Sequence, residues 1–214
     1  MSVERPLEIV AEDANFVVVE KPSGLLSVPG RGPEKWDCVT ARVRERYPGC
    51  IEQPAVHRLD MDTSGLMVVA LQTESHRVLS KQFQARQTAK RYVALVEGHV
   101  AQERGTVRLP FRLDIDNRPH QIYDEVHGKI GITHWERIAI EGPRTRIAFT
   151  PVTGRTHQLR VHAAHERGLG APIAGDPLYG DGTDSERLML HASELAFDHP
   201  TSGERMAYQS PVPF

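Results

Sequence analysis

The chain has little cysteine and no long apolar run. Cys38 and Cys50 are the only two cysteines in 214 residues, and they form neither a CxxC pair nor a disulfide framework. A disulfide-stapled secreted scaffold is therefore excluded. No hydrophobic stretch approaches the ~18 residues of a spanning helix, and the acidic start MSVERPLEIVAED has no signal-peptide core. Neither sign of charge is in excess, with 26 Lys+Arg against 28 Asp+Glu and a net charge of −2.

Familiar chemical motifs are missing too. There is no GxxxxGK[ST] loop, no GxSxG elbow and no HExxH pair. GLGAPIAG (168–175) has Ile173 where a dinucleotide fingerprint needs its third glycine. Of the eleven histidines, His162 and His165 stand three apart with His157 behind them, but the nearby acid, Glu166, adjoins them awkwardly. Scattered histidines, in the core or facing a nucleic acid, are the better reading, and no metal site is expected.

What is present is a 39% hydrophobic, 25% charged chain, enough for one substantial core and hence one soluble, cytoplasmic domain. Charge is unevenly spread: residues 77–118 hold nine cations and four anions, whereas 176–205 hold seven acids and two arginines. The basic 77–118 stretch and the Arg137–Arg167 stretch are candidate faces for a polyanion. Twenty-one of the 26 cations are arginine, which suits bidentate phosphate contacts but also follows from base-composition bias.

Strands are expected at FVVVE (16–20), LMVVAL (66–71), KRYVALVEG (90–98), TVRLPF, ITHWERIAI, TRIAFTP, LHASELAF and MAYQS. Helices are expected from a cap at Asp37 to about Tyr47, from a cap at Thr73 to about Arg86, and over THQLRVHAAHERG with Gly168 as a left-handed C-cap. Strand-rich segments without regular βαβ alternation predict an α+β fold with a mixed, mostly antiparallel sheet.

HRLDMDTSG (57–65) is the unusual segment. It packs His57, Arg58, Asp60 and Asp62 just before a very apolar strand. Asp62 fits a turn with Thr63-Ser64-Gly65. Asp60, between Leu59 and Met61, is expected to be partly enclosed and so to need a partner if it is to stay charged. GRTHQLRVH (154–162) supplies Arg155 and Arg160. An Asp–Arg active site and a structural ion pair both fit that chemistry.

HRLDMDTSGLMVVA (57–70), KRYVALVEG (90–98) and GRTHQLRVH (154–162), in this order, resemble the signature segments of the RluA family of RNA pseudouridine synthases. VVVEKPSGLLSVPG, GDPLYG (175–180), LMLHASELAFDHP and the final SPVPF support the resemblance, which runs from about Leu7 to Phe214. It implies the pseudouridine synthase fold, a mixed, mostly antiparallel sheet flanked by helices and loops with an active-site cleft. It also implies a single catalytic domain over 1–214, with no N-terminal S4 RNA-binding domain. SGLLSVPGR, NRPHQ and the short length are most like the dual-specificity branch, whose substrates are uridines in a 23S rRNA hairpin and in tRNA anticodon stem-loops. One departure is Gly131 in GKIGIT (128–133), where relatives commonly show GK-x-A-x-T.

The resemblance assigns roles. Pseudouridine formation breaks the uridine N1–C1′ bond, turns the base and rejoins it through C5, so it calls for no cofactor and no metal. Asp60 is the implied catalytic carboxylate, with Arg160 its implied counter-ion. Tyr92 is the implied active-site tyrosine, preferred in its KRYVA context over a strand aromatic filling the core. Arg58 is implied to fill the space left by a flipped uridine, against a generic phosphate contact. His57 is expected to shape its loop, Leu159 to wall the uracil pocket, and Arg155 to bind substrate. The expected partner is RNA, with no membrane and with the protein a monomer. A synthase acting on one RNA and a catalytically silent RNA-binding module are the alternatives.

Overall fold

Runs of β-branched and aromatic residues build the strands. The computed structural model describes residues 7–181 and 187–214, so Asp184 and Glu186 of the acidic stretch lie outside it. The chain divides into two compact units, one from the N-terminus to Lys90 with Ala192–Pro211, the other Arg91–His191 with Val212–Phe214.

In the first unit the elements are β1 (Glu8–Glu12), β2 (Phe16–Lys21), a 3₁₀ turn (Pro33–Lys35), α1 (Val39–Arg46), β3 (Ser64–Ala70) and α2 (Thr73–Gln84). They are completed by returning strands β9 (Leu190–Asp198) and β10 (Arg205–Gln209), which extend the strand order as β1-β2-β3-β9-β10. β1/β2, β2/β3 and β9/β10 are antiparallel. Phe16 and Val18 on one face of β2 join Leu66, Val68, Leu79, Leu195 and Phe197 in the core. Val17 and Val19 on the opposite face are equally buried. Each such side chain contributes about 1.5–3 kcal/mol of burial.

β3 is buried along its whole length, as its apolar run requires. Gly65 within it has φ +114°, and a Cβ there would overlap the Ala192 backbone, so only glycine lets β9 approach. α2 turns Ser75, Leu79 and Gln82 inward, and the Gln82 amide both donates to Asp198 O and accepts from Asp198 N–H. Gln72 rather than Thr73 is its cap residue. At α1 the expected cap is also displaced by one residue: Cys38 Sγ accepts the Ala41 N–H at 3.4 Å, while Asp37 pairs with Arg42.

The second unit holds β4 (Ala89–Glu97), β5 (Arg104–Leu113), β6 (Gln121–Tyr123), β7 (Lys129–Glu141), β8 (Arg144–Pro151) and α3 (Gln158–Ala164). Its strands follow the order β4-β8-β7-β5-β6, antiparallel at every step. Its core gathers Val96, Leu109, Phe111, Trp135, Phe149, Leu159 and Ile173. The α+β class and the mostly antiparallel sheet are as the sequence pattern indicates.

α3 is shorter than expected. It stops at Ala164, and the chain folds back so that Leu169 N–H donates to His162 O and Ala171 N–H to Ala163 O. Gly168 serves this close return, since a Cβ there would overlap His162 O; the left-handed glycine is Gly170, φ +63°. Gly131 is explained similarly, because a Cβ would lie 2.6 Å from the Phe111 ring and 2.8 Å from His162 Nε2.

Candidate active site

The loop carrying Asp60 is clamped from the KPSGLLS segment. Lys21, fully buried, donates to Met61 O at 2.7 Å and to the carbonyls of Pro22 and Leu25. Gly24 N–H also reaches Met61 O, and Ser23 Oγ donates to Asp62 O. Ser27 Oγ donates to Leu59 O at 2.7 Å and accepts Leu59 N–H at 3.0 Å. Thus the main chain on both sides of Asp60 is fixed. The half-buried Asp60 carboxylate itself has no hydrogen-bond or ion-pair partner among the described residues. Asp62 sits in the turn, as its context suggests.

His57 and Arg58 stand on the same loop. The His57 ring stacks on Phe83 with centroids 4.4 Å apart, and its Nε2 accepts the Val68 N–H at 3.1 Å. Burial, with a smaller contribution from the charge of Lys90, pushes His57 down to about 3, so the ring is neutral and that acceptor is always available. Arg58 is exposed and has no partner among the described residues.

In the second unit, GRTHQLRVH and GDPLYG lock together. Arg160 is 2% exposed and forms a two-pronged pair with the fully buried Asp176, Nε to Oδ2 at 2.8 Å and Nη2 to Oδ1 at 2.6 Å. Asp176 Oδ1 also accepts the N–H groups of Leu178 and Tyr179, which helps offset the cost of burying it. Tyr179 lies under the Arg160 guanidinium and its hydroxyl is bonded to His157 Nδ1 at 2.8 Å. His157, at φ 54°, turns the chain into α3. Gln158 ties the helix start to β7 through Ile132 O and Thr133 Oγ1.

Within its own unit, the carboxylate bonded to Arg160 is Asp176. Sequence reasoning missed Asp176, although an arginine on the buried face of a helix demands a carboxylate and GDPLYG holds this one. Leu159 is buried in the core of this unit, and Tyr92, opposite Phe149 on β4, packs against the same cluster. Arg155 is exposed at the mouth of α3. His57, Arg58 and Asp60 therefore share one loop, while Arg155, Leu159 and Arg160 share another segment.

The basic stretches are less free than their composition implies. Arg77, Arg112, Arg137, Arg144 and Arg146 all pair with carboxylates. Arg104, Arg108 and Arg118 are exposed and have no carboxylate partner among the described residues. Among those residues no three His, Cys, Asp or Glu side chains cluster to hold a metal ion.

This fold and these motif segments define an RNA-modifying enzyme, and comparison with known proteins specifies which. The model of the RNA pseudouridylate synthase family matches residues 15–165, and the chain belongs to that family. It is 45% identical over 212 residues to the dual-specificity RNA pseudouridine synthase RluA of Pasteurella multocida, covering 97% of this chain and 94% of the relative. It is 43% identical to the protein of the same name from Escherichia coli K12, with the same coverage. Human RNA pseudouridylate synthase domain containing 1 superposes with a TM-score of 0.80 at 30% identity, covering 100% of this chain and 87% of that one. The human domain-containing-4 structure shares the fold, with a TM-score of 0.75 at 23% identity over 96% of this chain and 88% of its own.

Proposed function

We propose that the protein isomerises uridine to pseudouridine in two structured RNAs, a 23S rRNA hairpin and a tRNA anticodon stem-loop. The observation that carries this is the Asp60 carboxylate, left without a partner on a loop whose neighbouring carbonyls are all held. Near full-length similarity to enzymes named for dual specificity supports the choice of substrates.

The reaction moves a base and oxidises nothing. The N1–C1′ bond breaks, uracil turns, C5 bonds to C1′, the C5 hydrogen leaves as a proton and N1 ends protonated, so the sum is an isomerisation. Asp60 enters either by attacking C1′ or by taking a sugar proton to give a glycal, and both require the ionised form. Tyr92 is assigned to the same reaction, its ring stacking on uracil and its hydroxyl serving the departing C5 proton. Arg160 is assigned through the fixed charge of its guanidinium, which favours an ionised carboxylate. Leu159 is assigned to the uracil wall, and Arg58, Arg155 and His57 to holding the RNA. Flipping the target costs a few kcal/mol, which phosphate contacts from exposed arginines offset.

The proposed setting is the cytoplasm, with the protein a monomer. Among the described residues no helix is long and apolar enough to cross a membrane. The test is to incubate the enzyme separately with unmodified tRNA and 23S rRNA fragments and map pseudouridine by carbodiimide adducts and primer extension. One modified loop uridine in each RNA is expected. Modification of one RNA alone reduces the proposal to a single-substrate synthase, and modification of neither overturns it.

A further inference from the structure

A cavity of about 680 Å³ opens in the first unit beside the Asp60 loop. Its volume lies within the about 300–1,000 Å³ of small-ligand sites. Pro29 and Pro54 contribute apolar wall, and Arg44 of α1, Arg58, Glu52 and His76 are among its polar lining. His76 is already committed, its Nε2 bonded to Ala55 O at 3.2 Å.

The arginines around this cavity divide sharply. On α1, Arg42 pairs with Asp37 and Arg46 with Glu12, and on α2 Arg77 pairs with Glu74. Arg44, between the first two, has no carboxylate partner among the described residues, and nor does Arg58. The two guanidiniums lining the cavity are thus left able to take an external anion, while the arginines beside them are neutralised. Glu52 is the single acid among the lining residues. It disfavours a bare anion and can accept from an amino or imino group, so the lining suits a ligand carrying both phosphate and base. Apolar wall beside the two cations offers the base a surface to lie against.

Arg58 precedes Asp60 by two residues, a chain span of no more than about 7 Å. A strand that brings a uridine to Asp60 therefore passes this cavity with the next nucleotide. We propose that the cavity takes the nucleotide adjacent to the target uridine, its phosphate on Arg44 and Arg58 and its base against Pro29 and Pro54. This rests on the reading of Asp60 as the carboxylate that acts on RNA.

The experiment pairs protein and RNA changes. A stem-loop substrate carrying tritium at C5 of the target uridine is made intact and with an abasic site at each loop position in turn. Wild type and Arg44→Ala are assayed on every member, with Arg44→Lys to separate charge from shape. On intact RNA, Arg44→Ala is expected to raise KM about tenfold and to lower the slope of log KM against log salt by about one, as for loss of one phosphate contact. In wild type, an abasic site next to the target raises KM several-fold. In Arg44→Ala that same lesion adds little, while lesions elsewhere keep their full effect. Arg44→Lys is expected to restore most of the salt slope but only part of the KM.

Independent, multiplicative effects of Arg44→Ala and every abasic site would overturn the proposal, as would an unchanged salt slope. Inorganic phosphate that inhibits wild type but not Arg44→Ala, with all abasic penalties multiplicative, would make this a bare-anion site and also overturn it. Tritium release by wild type on intact RNA keeps these outcomes separate from the underlying reading. Its absence on every RNA refutes that reading first.

Discussion

His162 is buried with neither ring nitrogen bonded among the described residues, its edge against Phe111. Burial, with a smaller push from His165, takes it from 6.5 to about 4. His191 is likewise near 4, and His57 near 3. Below pH ~6.5 the unfolded chain binds protons that the folded chain refuses, so stability is intact above that pH and falls on acidification toward pH 4. The slope is roughly 1.4 kcal/mol per pH unit for each such histidine. The urea midpoint should therefore drop between pH 7 and pH 5, and His162→Leu should lessen the drop; an unchanged midpoint contradicts this. Arg160 and Asp176 form a buried ion pair, and Asp176→Asn takes the carboxylate charge away from a buried guanidinium. A loss of about 3–5 kcal/mol is expected by chemical denaturation, and a loss below about 1 kcal/mol, within the surface-pair range, would show the pair to be solvated. The partial enclosure of Asp60 was legible from its place between Leu59 and Met61, ahead of an apolar strand, whereas its proposed role comes from the family resemblance. Asp176 was not, because its pairing partner lies 16 residues away and its own context reads as a turn.

At the level of elements, the Asp60 loop owes its shape to groups outside it. Ser27 alone holds both backbone groups of Leu59. Ser27→Ala is expected to lower kcat about tenfold while KM stays within about twofold, because the carboxylate is displaced but the RNA contacts remain. An equal loss in both, or in neither, would remove Ser27 from the positioning of Asp60. Strand identities were largely readable from β-branched runs such as FVVVEK and SGLMVVA. Helix ends were not. Cys38 outcompeted Asp37 as cap because Asp37 found Arg42, and α3 ended early because His165 turns extended to let Gly168 pass His162 O. These ends are decided by tertiary partners that no local pattern contains. β6, three residues long and paired with β5, carries too short a pattern to be seen.

For the molecule as a whole, net charge says little about RNA. The chain carries −2, yet Arg44, Arg58, Arg104, Arg108 and Arg155 have no carboxylate partner among the described residues. Local cations of this kind, not the total, set phosphate binding and its dependence on salt. The family match at residues 15–165 takes in parts of both compact units. The most direct measurement is tritium release from RNA labelled at uridine C5, under single-turnover conditions, for wild type and Asp60→Asn. Wild type should release tritium in proportion to pseudouridine formed, and Asp60→Asn should be slower by at least about a thousandfold, as expected when the reacting carboxylate is removed. Asp60→Asn releasing tritium at a rate near wild type, with the fold intact, would contradict the account.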